Sequence, residues 1–290
     1  MRRAHPIYRN PPFDMLGATG VFPLFSPTTA LSIAVELDYR LEAPAAILLA
    51  VEAQSDAEQQ VESELFTCNG IALKPVPTVR GETARYRWIY AQAGDLSLRY
   101  TADVIVTRAP TELFRLPATP YAALPTEVAP WLLASRYCDP VRFARVLEDD
   151  MNLPRGLVAD GSTIAIIAKW IKGHLTYEQA STAETTALDT YVERAGICRD
   201  YAHLMIALAR AAGVPARFVS SYAWQLDPPD FHAVAEVWLD GRWHLVDATG
   251  LAPEQSLVRI ARSRDAIDAS FMTVFGTAEM VSQSVMVTAR

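Results

Sequence analysis

Cysteine is scarce in this 290-residue chain: Cys68, Cys138 and Cys198 are all there is. An odd count argues against a complete disulfide framework, and spacings of 70 and 60 residues form no local zinc-ligand pattern. Reduced thiols in a cytoplasmic protein are the expectation. Long hydrophobic runs are missing too. The longest notable one, 43–51, carries Pro44 and is nine residues long, whereas a spanning helix takes about 20. The amino terminus holds Arg2, Arg3 and His5 but continues with Pro6, Pro11 and Pro12, so neither a signal peptide nor a membrane partner is expected. A surplus of basic charge is absent as well. Lys and Arg number 26 against 33 Asp and Glu, a net −7, the wrong sign for a nucleic-acid partner. No internal repeat or low-complexity tract occurs. What the chain does have is apolar bulk: 51% hydrophobic and 20% charged residues exclude wholesale disorder and suffice for two domains.

Period-two runs dominate the first half. Segments 30–39, 46–52, 62–68, 84–91 and 96–106 alternate, separated by Pro44, Asn69-Gly70 and Gly94-Asp95. That pattern predicts an antiparallel β domain, a small sandwich over roughly 20–108. Pro110, Pro117, Pro120, Pro125 and Pro130 then crowd 21 residues and forbid a long helix. The domain boundary is expected there, giving a β-rich accessory domain with an irregular N-terminal arm over 1–112 and a second domain over 113–290. The second half opens with helical spacing at 142–149, 162–172, 183–194 and 198–212, with Asp160 or Ser162 as a cap for the second. Strands follow at 216–224, 231–239 and 242–249, the last two joined by Asp240-Gly241, a hairpin signal. Further strands are expected near 258–261 and 281–287. Helices followed by a meander make an α+β domain.

Cys198 falls where a helix starts, and helix starts offer unpaired N–H groups and the positive end of the dipole. Both favour a thiolate, and a neighbouring imidazole adds to that. The preceding Gly196 leaves room for a substrate backbone. With Asp240-Gly241 as the turn, paired positions sum to 481. Trp238 then faces Trp243, Val234 faces Asp247 and His232 faces Thr249. His232 and Asp247 become diagonal neighbours on one face, about 7–8 Å apart at Cα. An Asp there fixes the tautomer of the His and leaves its other nitrogen for Cys198. Each residue alone reads as structural: a buried thiol, a strand His, a strand-end Asp. Periodicity and spacing leave the structural and the catalytic reading side by side.

Arg194-Ala-Gly-Ile-Cys-Arg-Asp-Tyr-Ala-His203 and its continuation over 207–217 resemble the nucleophile helix of the transglutaminase-like superfamily. Asp230-Phe-His-Ala233 resembles that family's histidine motif, and Gly241-Arg-Trp-His-Leu-Val-Asp-Ala-Thr249 its aspartate motif. Segment 131–140, the tail 262–276 and the β-rich first half resemble flanking regions of its bacterial members. The resemblance implies a papain-like core after an accessory all-β domain, with Cys198 as nucleophile, His232 as base and Asp247 as orienting acid. It also implies a peptide or protein amide as substrate and thioester chemistry at Cys198. Hydrolysis is the expected outcome. Amine transfer between proteins and a catalytically silent peptide-binding scaffold are the alternatives. No cofactor is expected, and the oligomeric state has no reading in the sequence.

The other candidates read as supporting residues. Asp200 is expected to cap the helix or anchor Arg199 or Arg217. His203 sits about 140° round the helix from Cys198 and reads as structural, as do His174 and His244. Cys68 and Cys138 lack a helix-start context. No trio of His, Cys and carboxylate lies at zinc spacing, and no EF-hand pattern occurs. Trp238 and Trp243 are expected to pack under His232, and Trp224 to border the substrate groove. Tyr177 and Trp170 are weak candidates for the edge of an oxyanion site.

Overall fold

The computed structural model describes residues 28–79, 83–154, 156, 158–179 and 181–290. The expected N-terminal arm lies outside them. Six strands open the described chain: β1 (Thr29–Leu41), β2 (Ala45–Leu49), β3 (Gln59–Cys68), β4 (Ile71–Leu73), β5 (Arg87–Ala91) and β6 (Gly94–Val106). In β1 and β6 every second residue is buried, Leu31 to Leu41 and Leu96 to Val106, because one face of each strand meets the core and the other meets water. The Pro-rich stretch that follows holds only short 3-10 turns. Helices α1 (Ala144–Asp149), α2 (Gly161–His174), α3 (Ala187–Glu193) and α4 (Cys198–Ala211) come next, with two-residue strands β7 (Thr176–Tyr177) and β8 (Ala195–Gly196) flanking α3. The chain ends in β9 (Ala216–Ala223), β10 (Phe231–Leu239), β11 (Arg242–Val246), β12 (Leu257–Ser263), β13 (Met272–Phe275) and β14 (Ala278–Ala289).

Helix α2 starts where Asp160 accepts the Ser162 and Thr163 N–H groups. Helix α3 begins four residues later than its periodicity suggests, because Thr186 and Asp189 form a capping box there. Helix α4, expected to bury one face, is buried all round from Asp200 to Arg210. It packs on β9 and β10 on one side and on α2 and α3 on the other. The core sheet runs β11-β10-β9-β12, antiparallel throughout. In its hairpin Leu239 pairs with Arg242, Trp238 with Trp243 and Ala235 with Val246, the register that a turn at Asp240-Gly241 requires.

The first half forms two antiparallel sheets, and the chain's last strands complete both. β14 pairs along β1, Leu31 opposite Ala289, giving the order β14-β1-β6-β3-β4; β13 adds to β2 and β5. A cut at 112/113 therefore leaves β13 and β14 on the other side from the strands they pair with. The two halves also share one hydrophobic core, which runs from Leu31 through Ile47 and Tyr100 to Tyr222 and Val285. Buried charge crosses between them. Glu236 on β10 accepts Arg217 and Arg259, each at 2.6 Å. Arg259 reaches on to Asp56 and Glu58 in the first half. The architecture is α+β, a β-sheet region preceding a mixed core.

Candidate active site

Three elements bring Cys198, His232 and Asp247 together. Cys198 is the first residue of α4, where backbone N–H groups have no helical partner. Asp200 satisfies one of them, accepting the Ile197 N–H at 2.9 Å, while its other oxygen takes Arg199 at 2.9 and 3.1 Å. The expected cap and Arg199 anchor are thus one residue, fully buried. Gly196 serves that packing. A Cβ there would sit 2.7 Å from Asp200 Cβ, so only glycine lets Asp200 fold back under the turn.

His232 lies near the start of β10, and Asp247 follows the end of β11. The Asp247 Oδ2 is 3.0 Å from His232 Nε2. Asp247 also accepts the Ala252 N–H on Oδ2, and the Thr249 N–H and hydroxyl on Oδ1. Burial alone would push its carboxyl up; the bonds from His232, Thr249 and Ala252 outweigh that and hold it below the ordinary carboxylate value. For His232 burial pulls the other way, but the Asp247 carboxylate and the Cys198 sulfur together raise its pKa to about 10. Its Nδ1 is buried and makes no bond of full hydrogen-bond geometry, yet Cys198 is close enough to contribute to that rise. Thr249 escaped the sequence reading as a functional residue. Its signal was the Asp-Ala-Thr spacing of a side-chain-closed turn.

Tyr177 also approaches Cys198. β7 runs parallel to β8 with Tyr177 opposite Gly196, and the Glu178 N–H donates to the Gly196 carbonyl at 3.0 Å. The ring lies 5.8 Å from that of Tyr201. Burial raises the phenol pKa, and the Cys198 sulfur raises it further. Trp170 instead stacks on His174 and Tyr191, away from Cys198.

A groove of about 670 Å³ borders Cys198 and His232, lined among others by Tyr137, Phe218, Phe231, Ala266 and Phe271. Its far wall, from 266 to 271, belongs to the tail that resembles a flanking region of the family, but its place beside Cys198 was not readable in the sequence. His203, structural as expected, holds that wall. Its Nε2 accepts the Ala266 N–H at 3.1 Å, and its ring lies between Tyr137 and Phe218. Burial drops its pKa to about 4. Buried Asp265 ties the two sides, accepting the Tyr137 and Ile267 N–H groups at 3.1 Å each. Two expectations are corrected. Trp238 and Trp243 meet edge to face, but six residues of strand put Trp238 about 20 Å from His232. Trp224 lines a separate hollow with Leu226 and Asp230. His244 does point away from the site, donating to the Leu239 carbonyl. Among the described residues no three His, Cys, Asp or Glu side chains cluster as a metal site, and no helix is long and apolar enough to cross a membrane.

Residues 153–248 match the transglutaminase-like superfamily. A crystal structure from Cytophaga hutchinsonii, of a protein provisionally assigned as a cysteine protease, superposes with a TM-score of 0.81 at 31% identity, over 91% of each chain. An uncharacterised Mycobacterium leprae protein is 26% identical over 117 residues, 36% of this chain and 41% of its own length. An uncharacterised Mycobacterium bovis protein is 31% identical over 118 residues, 35% of this chain and 38% of its own. The likeness thus spans about two fifths of these mycobacterial proteins. Sustained over nearly the whole length of the Cytophaga protein, and matched through the core that carries the site, the chain belongs to the transglutaminase-like superfamily.

Proposed function

We propose that the protein is a cysteine-nucleophile hydrolase of peptide or protein amides. The observation that carries this reading is His232 held by Asp247 at 3.0 Å, with its second nitrogen left for a thiol at the start of a buried helix. Cys198 attacks the amide carbonyl as the thiolate partner of the His232 imidazolium, forming the C–S bond. The C–N bond then breaks, and His232 gives its proton to the departing amine. Water adds to the thioester, His232 takes its proton, and a carboxylic acid leaves as Cys198 is regenerated. Asp247 never changes protonation; it orients the imidazole and stabilises its charged form. In this reading the Cys198 N–H and the Tyr177 hydroxyl receive the developing oxyanion, an assignment supported by the nearness of Tyr177 to Cys198. A Tyr177 kept protonated by burial supports its role as a donor.

Hydrolysis is favoured over amine transfer by a groove open to solvent at Glu184 and Ser270, both exposed. Three free thiols support a reducing, cytoplasmic setting. The net charge of −7 supports a protein substrate and not a nucleic acid. The test is release of fluorophore from a panel of peptidyl aminocoumarin amides, with and without a primary amine, followed by mass analysis of the acyl product. Cys198-dependent release with a free acid as product is expected. No release above that of Cys198→Ala would overturn the reading. A product carrying the added amine would replace hydrolysis with transfer.

A further inference from the structure

The groove beside Cys198 has walls of unlike character. Its charged groups are Arg136, Glu184, Arg199 and Asp230, and all but Arg199 are exposed. Arg199 is bound to Asp200, Ser181 and Thr182. Asp230 accepts the Phe231 N–H and the Gln283 amide, both at 2.7 Å. Arg136 lies over the Tyr137 ring. Past this rim the lining turns apolar. Phe231, the residue before His232, stacks on Phe271 with ring centroids 4.5 Å apart and planes 9° from parallel. Ala266, Ala269 and Ile267 continue the wall, and Ile267 keeps 46% of its surface exposed. Phe218 and Ala233 line the core-sheet side.

This apolar wall is held in place from behind. The His203 bond to the Ala266 N–H and the two Asp265 bonds to Tyr137 and Ile267 come from fully buried side chains. Segment 266–271 is therefore anchored at both ends, by these bonds at Ala266 and Ile267 and by the Ala50 N–H donating to the Phe271 carbonyl at 3.0 Å. It also lies outside residues 153–248, which carry the superfamily match. The segment thus follows the matched core in sequence and lines the groove beside Cys198.

We propose that segment 266–271, with Phe271 and Ile267 as its contact residues, is the specificity wall for the acyl half of the substrate and selects bulky apolar side chains there. The inference rests on the reading of Cys198 as an acyl-accepting nucleophile. The acyl half is the part that stays on Cys198 through both steps, so it gains most from a preformed groove. At about 670 Å³ the groove is in the range of sites that hold a small ligand, about 300–1,000 Å³, and has room for more than one side chain. Burying a leucine-sized group against Phe271, Ile267 and Ala269 favours it over a carboxylate, because these side chains carry no donor and the Ser270 hydroxyl already donates to the Met272 carbonyl.

The experiment compares alkylation of Cys198 by acetyl-dipeptidyl chloromethyl ketones carrying two leucines or two glutamates, each rate divided by that for iodoacetamide. In all three reagents the sulfur displaces halide, forming C–S as carbon–halogen breaks. Only the peptidyl ones engage the groove. Wild type is expected to favour the leucine reagent at least about tenfold, the effect of one well-buried apolar group. Phe271→Ala lowers that preference severalfold. Ile267→Lys, at an exposed position that leaves the fold intact, lowers it and speeds the glutamate reagent. A wild-type preference below twofold, or an undiminished preference in both variants, would overturn the proposal while leaving a reactive Cys198 standing. Failure of all three reagents to modify wild-type Cys198 faster than an ordinary thiol would overturn the nucleophile reading, and the wall's role with it.

Discussion

Asp247 accepts four hydrogen bonds on two oxygens, three of them from its own loop, so its position is set before His232 is considered. Replacing it with Asn keeps most of the shape but removes the charge that supports the imidazolium. Asp247→Asn is expected to lower kcat/KM for amide cleavage by at least about 100-fold, by analogy with other acid-oriented triads, with a small loss in thermal stability; initial rates and a melting curve check both. The raised pKa of His232 has a consequence for stability. A group that binds its proton more tightly when folded stabilises the fold fully below its unfolded pKa, about 6.5. That contribution then fades as pH climbs through about 10. The stability difference between wild type and His232→Ala should thus be largest near pH 6 and shrink toward pH 10. Denaturant titrations at pH 6, 8 and 10 measure it.

At the start of α4 the carboxylate of Asp200 carries both the Ile197 N–H and the Arg199 guanidinium, out of reach of water. Asp200→Ala leaves the Ile197 N–H unpaired and Arg199 with only Ser181 and Thr182, and should cost about 1.5–3 kcal/mol, the range for a buried charge-assisted bond. Gly196→Ala should be destabilising as well, since its Cβ collides with Asp200. Urea midpoints of the two variants check this. Elements whose partners are near in sequence were legible. Two-residue turn chemistry at Asp240-Gly241 set the whole register of β10 against β11, and that arithmetic placed Asp247 beside His232. Short β7 and β8 were not legible, because two residues carry no period. Their pairing is fixed by tertiary contact, and it is what brings Tyr177 near Cys198. The shortened α3 shows a cap overriding an apolar pattern that begins earlier.

Across the whole molecule, the pairing of β14 with β1 and of β13 with β2 joins residues more than 200 positions apart. Alternation identifies such strands but says nothing of their neighbours, so the sandwich was readable and its completion by the chain's end was not. The same holds for the groove wall over 266–271, which gains its role only from where β12 delivers it. The shared core and the Glu236 network predict that both halves unfold in one transition, seen as coincident near- and far-ultraviolet dichroism changes. Glu236→Gln takes from buried Arg217 its carboxylate partner and from Arg259 one of three, and should cost about 3–5 kcal/mol, shifting that single midpoint without splitting it. Two resolved transitions in wild type would contradict the shared-core picture.

The central claim is an activated Cys198–His232 pair. Its most direct measurement is the rate of iodoacetamide modification at each cysteine against pH, read by peptide mass spectrometry in wild type and in His232→Ala. The account predicts that Cys198 reacts fast already near pH 6, that Cys138 stays inert in its buried site, and that the mutation abolishes the early reaction at Cys198. A Cys198 rate that rises only near pH 8.5, the ordinary thiol range, and is indifferent to the loss of His232 would contradict it.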